Sequence, residues 1–174
     1  SYIRKNKSLL ANLFGDVGVH NMYSMFISAL IDCAKDGAVI GILTLDSFLT
    51  AKAHRKLREK ILQTCAIHYL VLCSNDLFLE QGADVRTCIL ILQKGKHYQG
   101  NVQVSNRPLC QQDLKKRLGD RSFVKLPLEE LTLSFPQDNA EFIIDIPPQV
   151  RDLFSAPRLG DLFTCVTGIS TGSD

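Results

Sequence analysis

The sequence predicts an α/β domain in which apolar strands alternate with amphipathic helices. Residues 21–35 place apolar side chains at helical spacing, and residues 38–45 form an apolar run with the length of a strand. A second helical segment follows, and two further strand-like runs come after it. The predicted order is therefore helix, strand, helix, strand, strand. The short link between the last two strands predicts that they pair antiparallel.

The first helix and strand have recognisable ends. Asn21 can cap the helix, and Gly37 can provide the left-handed residue that ends it. The strand over residues 38–45 is apolar at almost every position, which is typical of a strand inside a parallel sheet covered by helices. Asp46 and Ser47 follow at its carboxyl end, where open α/β sheets bind their ligands.

The second helix is predicted over residues 51–64, with Thr50 as its cap and its basic residues directed to solvent. Strands are predicted over residues 67–73 and 85–92, on either side of a loop. The pattern weakens beyond residue 94. The elements expected there are a short strand at 102–104, a helix over 109–118 and a brief strand at 142–146.

Composition indicates an ordinary globular protein of one domain, or of one domain and part of another. The chain has 174 residues, of which 45% are hydrophobic and 22% charged, and its net charge is +2. It contains no apolar run near the roughly 20 residues that span a bilayer, and no apolar signal-peptide core. We therefore expect a cytoplasmic protein without a membrane partner.

Cysteine and histidine give no indication of a metal site. None of the six cysteines forms a Cys-x-x-Cys pair, and most lie in apolar segments, so we expect small buried side chains rather than disulfides or zinc ligands. A Gly-x-Gly-x-x-Gly loop and a phosphate loop are both absent. The residue types alone thus indicate an α/β domain and no particular reaction.

Three motifs that follow one another along the chain give more specific information about function. The chain opens Tyr2-Ile3-Arg4, residues 21–31 form a helix of mixed aromatic and aliphatic character, and Ser47-Phe48-Leu49 follows the first strand. This order resembles the second half of the catalytic domain of bacterial adenine-N6 DNA methyltransferases from restriction-modification systems. The family signature is Asn, Asp or Ser, then Pro-Pro, then Tyr or Phe. Only its end is present here, and Asp46 replaces a more usual Asn.

The resemblance implies a fold and a division of the chain. Residues 1–94 would be the C-terminal half of a Rossmann-like methyltransferase sheet dependent on S-adenosylmethionine. Residues 95–154 would be a mixed connector, and residues 155–174 would begin a target-recognition domain. The family's cofactor loop precedes the signature, so S-adenosylmethionine is expected in the parent protein. It is not expected on this fragment, which should be inactive by itself.

The resemblance also implies site residues and a double-stranded DNA partner. Tyr2 would be the catalytic aromatic residue, stacked on an adenine flipped out of the duplex. Phe78, which lies seven residues before Val85, would close the other side of that base. Asp46 and Ser47 would border the base pocket. The residues expected to contact DNA are Arg4, Lys5, Lys52 and Arg55.

Other interpretations stay open. Tyr2 could be an exposed terminal residue, and Phe78 could pack into the core. The chain could be a non-catalytic DNA-binding or scaffold module whose basic residues 52–60 contact phosphates, or half of another doubly wound enzyme. In the family's full sheet the strand at 38–45 would pair with a strand that precedes this sequence, so we expect one of its edges to be unpaired here. We therefore expect self-association through that edge, or coverage of it by the chain after residue 95.

Overall fold

The computed structural model describes residues 2–19, 21–133, 140–144 and 146–151, together with residues 153, 156–157 and 162–164. Its main feature is a five-stranded mixed sheet. In chain order the strands are β1 (Val39–Leu45), β2 (Cys65–Leu72), β3 (Thr87–Lys94), β4 (Val102–Ser105) and β5 (Val124–Leu126). Their order across the sheet is β1-β3-β2-β4-β5. A separate two-stranded ladder pairs β6 (Thr132–Leu133) with β7 (Glu141–Phe142).

Helices connect and cover these strands. They are α1 (Tyr2–Lys5), α2 (Lys7–Phe14), α3 (Met22–Cys33), α4 (Arg55–Thr64), α5 (Gln111–Gly119), α6 (Leu128–Leu131) and α7 (Pro148–Arg151). Short 3₁₀ turns follow β1 at Asp46–Leu49 and Lys52–His54, and others lie at Leu79–Gln81 and Lys96–Tyr98. The predicted order of helix, strand, helix, strand, strand is confirmed as α3, β1, α4, β2 and β3.

The predicted antiparallel pairing of the last two strands is confirmed, and β1 has an unpaired edge among the described strands, as expected; the parallel neighbour typical of such a strand is not among them. β3 lies between β1 and β2 and runs antiparallel to both, with Leu90 opposite Ile42 on one side and Leu70 on the other. β1 therefore forms an edge of the sheet among the described strands. An apolar composition predicts burial but not strand order, since the order depends on how the chain after β2 folds back.

One face of the sheet carries the main core. Ile27 of α3 and Leu57 of α4 are fully buried against it, and Ile40 and Ile42 point toward these helices. The opposite face is covered in part by α5, through Leu114. Val39 and Leu43 of β1 lie on this second face and are 66% and 52% exposed. β1 is thus covered on one face only.

Several local expectations need correction. The segment after Arg4 is helical (α1 and α2) rather than a basic loop, and Leu10 is its buried contact. Thr50 does not cap the second helix, because a 3₁₀ turn comes first and α4 begins at Arg55 without a side-chain cap. Asn21 does cap α3, and Gly37 takes the left-handed conformation with φ of +77° in the turn before β1.

The elements after residue 94 agree in part. β4 and α5 were predicted, whereas β5, α6 and β6 were not. In the region expected as a strand at 142–146, the ladder includes only Phe142, at the end of β7. β4 runs parallel to β2 and β5 pairs with β4, so the chain after residue 94 extends the edge opposite β1. Of residues 155–174, which the resemblance assigned to the start of a target-recognition domain, only 156–157 and 162–164 are among the described residues.

The described cysteines are all free thiols. Cys65, Cys73 and Cys88 are buried as expected, and burial raises the pKa of all three thiols, most strongly that of Cys88. Cys33 is exposed, against expectation. Within the described ranges, His, Cys, Asp and Glu form no group of three that could hold a metal ion.

No helix among the described residues has both the length and the apolar character needed to cross a membrane.

Candidate functional site

An open cleft of about 380 Å³ lies at the carboxyl end of β1. Its walls come from segments that are far apart in the sequence. They are the turn after β1, the end of β2, the start of β3, the loop after β4 and the chain at β7. The lining residues are Asp46, Ser47, Leu49, Thr50, Leu72, Arg86, Arg107, Phe142, Ile143 and Ile144.

Arg107 organises the polar side of this cleft. Its guanidinium donates hydrogen bonds to the Asp46 carboxylate and to the main-chain carbonyl of Cys73. The side chains of Arg107 and Asp46 are only 19% and 20% exposed, so water screens the pair weakly. The Asp46 amide also donates to the carbonyl of Arg86 at 3.0 Å. Asp46 is therefore held in place, and its charge is compensated by Arg107.

A second polar cluster lies behind Ser47. The hydroxyl oxygens of Tyr23 and Ser47 are 2.7 Å apart, and the Tyr23 oxygen lies 2.9 Å from Nε2 of His54. Nδ2 of Asn21 lies 3.0 Å from the same nitrogen. His54 is 5% exposed. Helix α3 positions Asn21 and Tyr23, and the turn before α4 positions His54, so the start of both helices converges on the exposed Ser47.

Arg58 connects the segment at β7, which forms one wall of the cleft, to the core. It is fully buried, and its guanidinium donates to the carbonyls of Phe48 at 2.6 Å, Ala51 at 2.8 Å and Ala140 at 3.1 Å. Burial lowers the pKa of Arg58, and the charge of Glu141 opposes that shift in part. The expectation that the basic residues of this helix face solvent is wrong for Arg58, because its donors are used on three main-chain carbonyls, of which the Ala51 carbonyl also accepts from the amide of His54 at 3.0 Å.

Lys60 is a second exception. Its ammonium group donates to Asp16 at 2.6 Å, to Asp32 at 2.7 Å and to the Ser28 hydroxyl at 2.7 Å. These bonds connect α4 to α3 and to the turn after α2. The lysines of the helical segment that remain exposed are Lys52 and Lys56.

The predicted site residues are brought together only in part. Asp46 and Ser47 both line the cleft. Phe78 is partly buried in the loop between β2 and β3. This loop joins those strands at the end of the sheet where Asp46 follows β1, but the Phe78 side chain does not line the cleft. Tyr2 is 63% exposed on α1, also away from the cleft lining.

The four residues expected to contact DNA lie on two short segments. Arg4 and Lys5 are exposed on α1, and Lys52 is exposed before α4. Arg55 is half-buried and its Nε donates to Glu59 at 2.7 Å, within one turn of the helix.

Sequence reasoning did not identify Tyr23, His54, Arg107 or Phe142 as site residues. The sequence held one indication that a cation such as Arg107 lies near Asp46. An aspartate at the end of an apolar strand requires a cation nearby once it is partly buried. Nothing in the residue pattern says which of the 20 arginines and lysines supplies it.

Comparison with solved structures supports the fold. A nuclease-deletion mutant of the Type ISP restriction-modification enzyme LlaGI, solved with a DNA substrate mimic, matches 86% of this chain at 16% identity with a TM-score of 0.55. The type IIG restriction endonuclease BpuSI matches 73% at 21% identity with a TM-score of 0.51. A chain from a study of complex assembly in the type I restriction-modification system matches 76% at 12% identity with a TM-score of 0.54.

This chain spans only part of those proteins. It covers 16%, 17% and 35% of the three matched chains, respectively. A search of curated proteins found no match.

The fold is therefore that of part of a Rossmann-like methyltransferase sheet, as the resemblance implied. Residues 5–128 match the family model described as N-6 DNA Methylase. The chain belongs to the N-6 DNA methylase family.

Proposed function

We propose that this chain is the part of a site-specific adenine DNA methyltransferase that borders the target base, within a restriction-modification protein. The parent protein would transfer a methyl group from S-adenosylmethionine to the N6 amino group of an adenine flipped out of the duplex. One observation carries the proposal. The segment that matches the N-6 DNA methylase model contains the turn after β1, the end of β2 and the loop after β4, which contribute lining residues to the cleft.

The cleft has the chemical character that an extruded base requires. Asp46 and Ser47 give it a polar side, and Leu72 and Phe142 give it an apolar one. A flipped base needs hydrogen bonds to its edge and apolar or aromatic contacts to its faces. The loop that carries Phe78 joins β2 to β3 at the end of the sheet where the cleft lies. Phe78 and Tyr2 do not line the cleft, so their proposed stacking on the base is supported by the family resemblance alone.

The basic residues support a DNA partner. Arg4, Lys5 and Lys52 are exposed, and Arg55 lies on the first turn of α4. Cations placed in this way contribute sequence-independent contacts to phosphates. The alternative function, a scaffold that binds DNA through this helix alone, is weakened because Arg58 and Lys60 are used inside the fold.

The described residues do not fit the cofactor itself. The carboxylate of the cleft, Asp46, is already paired with Arg107. The sequence also lacks the Gly-x-Gly-x-x-Gly loop that would approach the cofactor. We expect calorimetry to show no tight binding of S-adenosylmethionine to these 174 residues and no methyl transfer by them alone. Tight binding would contradict this part of the proposal.

Transfer of a radiolabelled methyl group to DNA, by the protein as its gene encodes it, tests the function. Base–aromatic stacking contributes about 1–3 kcal/mol, so Phe78→Ala should lower the rate roughly tenfold or more, and Phe78→Tyr should retain most of it. Leu79→Ala is the matched control, because Leu79 is the neighbouring apolar residue of the same loop and is 51% exposed. Equal effects of the two alanine variants would contradict the role of Phe78. An unmodified protein that transfers no methyl group to DNA would contradict the proposed function.

A further inference from the structure

The cleft carries more positive than negative charge. The charged residues in its lining are Asp46, Arg86 and Arg107, and two guanidinium groups with one carboxylate leave a net charge of +1. The carboxylate of Asp46 is paired with Arg107. Arg86 forms no ion pair with any residue that the structure describes. The charge that remains in the cleft is therefore that of Arg86.

The sheet directs the side chain of Arg86 to the face on which the cleft lies. Cys88 of β3 is buried in the core between the sheet and helices α3 and α4. The amide of Asp46 donates to the carbonyl of Arg86 at 3.0 Å, so the pairing of β1 with β3 extends to this position. Because side chains alternate along a strand, Arg86 points to the same face as Cys88. Leu72, which lies opposite Cys88 in β2, also lines the cleft.

The main chain at Arg86 is held from both sides. The Asp46 amide binds its carbonyl from the side of β1, and the Cys73 amide donates to the carbonyl of the next residue, Thr87, at 2.9 Å from the side of β2. Arg86 itself is exposed. The guanidinium therefore extends from a fixed point at the mouth of the cleft and is open to a ligand.

The groups around Arg86 suit a phosphate. Ser47 and Thr50 add two exposed hydroxyl-bearing side chains to the same lining. Arginine and hydroxyl side chains are common donors to the phosphate oxygens of nucleic acids, and the planar guanidinium matches two of those oxygens at once. The apolar walls at Leu72 and Phe142 strengthen the field of the cation within the cleft.

We propose that Arg86 binds a phosphodiester group next to the target nucleotide and so holds the DNA strand at the mouth of the cleft. The inference rests on the proposed function for its ligand, since a base that leaves the duplex remains attached to its own phosphates. Arg86 differs from Arg4, Lys5, Lys52 and Arg55, which do not line the cleft. A phosphate contact positions the strand without reading its sequence, so Arg86 is a positioning residue.

The first test requires no knowledge of the target sequence. Fluorescence anisotropy measures how the protein, as its gene encodes it, binds a labelled single strand of about ten deoxyadenylates at increasing salt. Each phosphate neutralised on a single strand contributes about 0.7 to the slope of log affinity against log salt. Arg86→Gln should lower that slope by about this amount and the affinity by roughly tenfold.

Two further variants are the controls for this measurement. Arg86→Lys keeps the charge and loses the planar fork, so it should keep the slope and recover part of the affinity. Lys125→Gln removes an exposed cation from β5, on the edge of the sheet opposite β1, and should leave the slope unchanged. An unchanged slope in Arg86→Gln, or an equal fall in Lys125→Gln, would overturn the proposal.

The second test locates the contact. In a duplex that carries the methylated adenine, each phosphate next to that adenine is replaced in turn by an uncharged methylphosphonate. At one of the two positions the replacement should weaken binding by the unmodified protein and should cause no further loss in Arg86→Gln. Equal losses in both proteins at both positions would show that Arg86 binds elsewhere and would overturn the proposal.

The remaining outcomes separate this proposal from the proposed function. A higher KM for S-adenosylmethionine in Arg86→Gln, with unchanged affinity for DNA, would assign Arg86 to the carboxylate of the cofactor and overturn the phosphate contact. If the slope falls as expected but the unmodified protein transfers no methyl group to DNA, the proposed function fails and the phosphate contact of Arg86 is still supported.

Discussion

Arg107 and Asp46 are joined by an ion pair across the end of the sheet, and the same guanidinium binds the carbonyl of Cys73. Since β1 and β2 are separated by β3, this one side chain connects the ends of two strands that do not pair with each other. The negative charge of Asp46 is thus matched by a cation from the loop after β4.

Asp46→Asn should therefore destabilise the protein. It leaves Arg107 partly buried without its carboxylate, and a hydrogen bond to a charged group contributes about 1.5–3 kcal/mol. Urea unfolding should show a loss in this range, and Glu59→Gln, which removes the charge of the partly exposed partner of Arg55, should cost within about 0.5 kcal/mol. If the two variants lose the same stability, the Asp46–Arg107 pair is not the contact described.

Arg58→Met should be more costly. Methionine keeps the methylene contacts but removes the three hydrogen bonds that the buried guanidinium donates to main-chain carbonyls, so we expect a loss of about 3 kcal/mol or more in the free energy of unfolding. Lys56→Met, at an exposed position of the same helix, is the matched control. The variant should also expose the chain near Ala140 to proteases, since Arg58 binds that carbonyl. Unchanged protease resistance there would contradict the anchoring role.

Lys60 predicts a pH dependence of stability. Burial lowers its pKa, but the hydrogen bonds and charges of Asp16 and Asp32 outweigh that effect, so its pKa lies above the 10.5 of an ordinary lysine. A raised pKa in the folded state means that the contribution is complete below 10.5 and is lost as the pH rises through the folded value.

Urea unfolding of Lys60→Met and of the unmodified protein from pH 8 to 11 checks this. The difference in stability should be constant up to about pH 10 and should shrink above it. Lys52→Met, at an exposed lysine, should match the unmodified protein throughout. A difference that already disappears well below pH 10 would show that the ion pairs of Lys60 do not raise its pKa.

The edge of β1 predicts self-association. The described residues place no strand on its outer side, and the chain after residue 94 extends the opposite edge. Unpaired strand edges bind other strands. Sedimentation should show dimers or larger species of this chain, and Leu43→Lys, at a position already 52% exposed, should shift them toward monomer. Val124→Lys, on the other edge strand and 60% exposed, should have no such effect. A monomer at every concentration would contradict the prediction.

The sequence predicted the elements better than their arrangement. Helical and strand periodicity is local, so α3, β1, α4, β2 and β3 could be found one at a time. The central position of β3 depends on contacts that no local pattern encodes. The burial of Arg58 was hidden for a similar reason, because a basic residue among other basic residues has the pattern of a solvated face.

The site residues that directly follow the end of a strand could be predicted from the sequence. Asp46 and Ser47 could be assigned because they come directly after β1. Arg107 is 61 residues from its partner Asp46, and Tyr23 and Ser47 are 24 apart, so only the folded chain reveals these contacts. The roles of Tyr2, Phe78 and the four DNA-contacting residues stay predictions.

The anchoring of Ala140 by Arg58 has a consequence for translation. The two residues are 82 positions apart, and Phe142 packs on Phe48 across a similar interval, with ring centroids 6.4 Å apart. At about 5–20 residues per second, a ribosome needs roughly 4–16 s to add that length. A nascent chain can thus assemble the central strands well before the last wall of the cleft has been synthesised, so the pocket is completed late in biosynthesis.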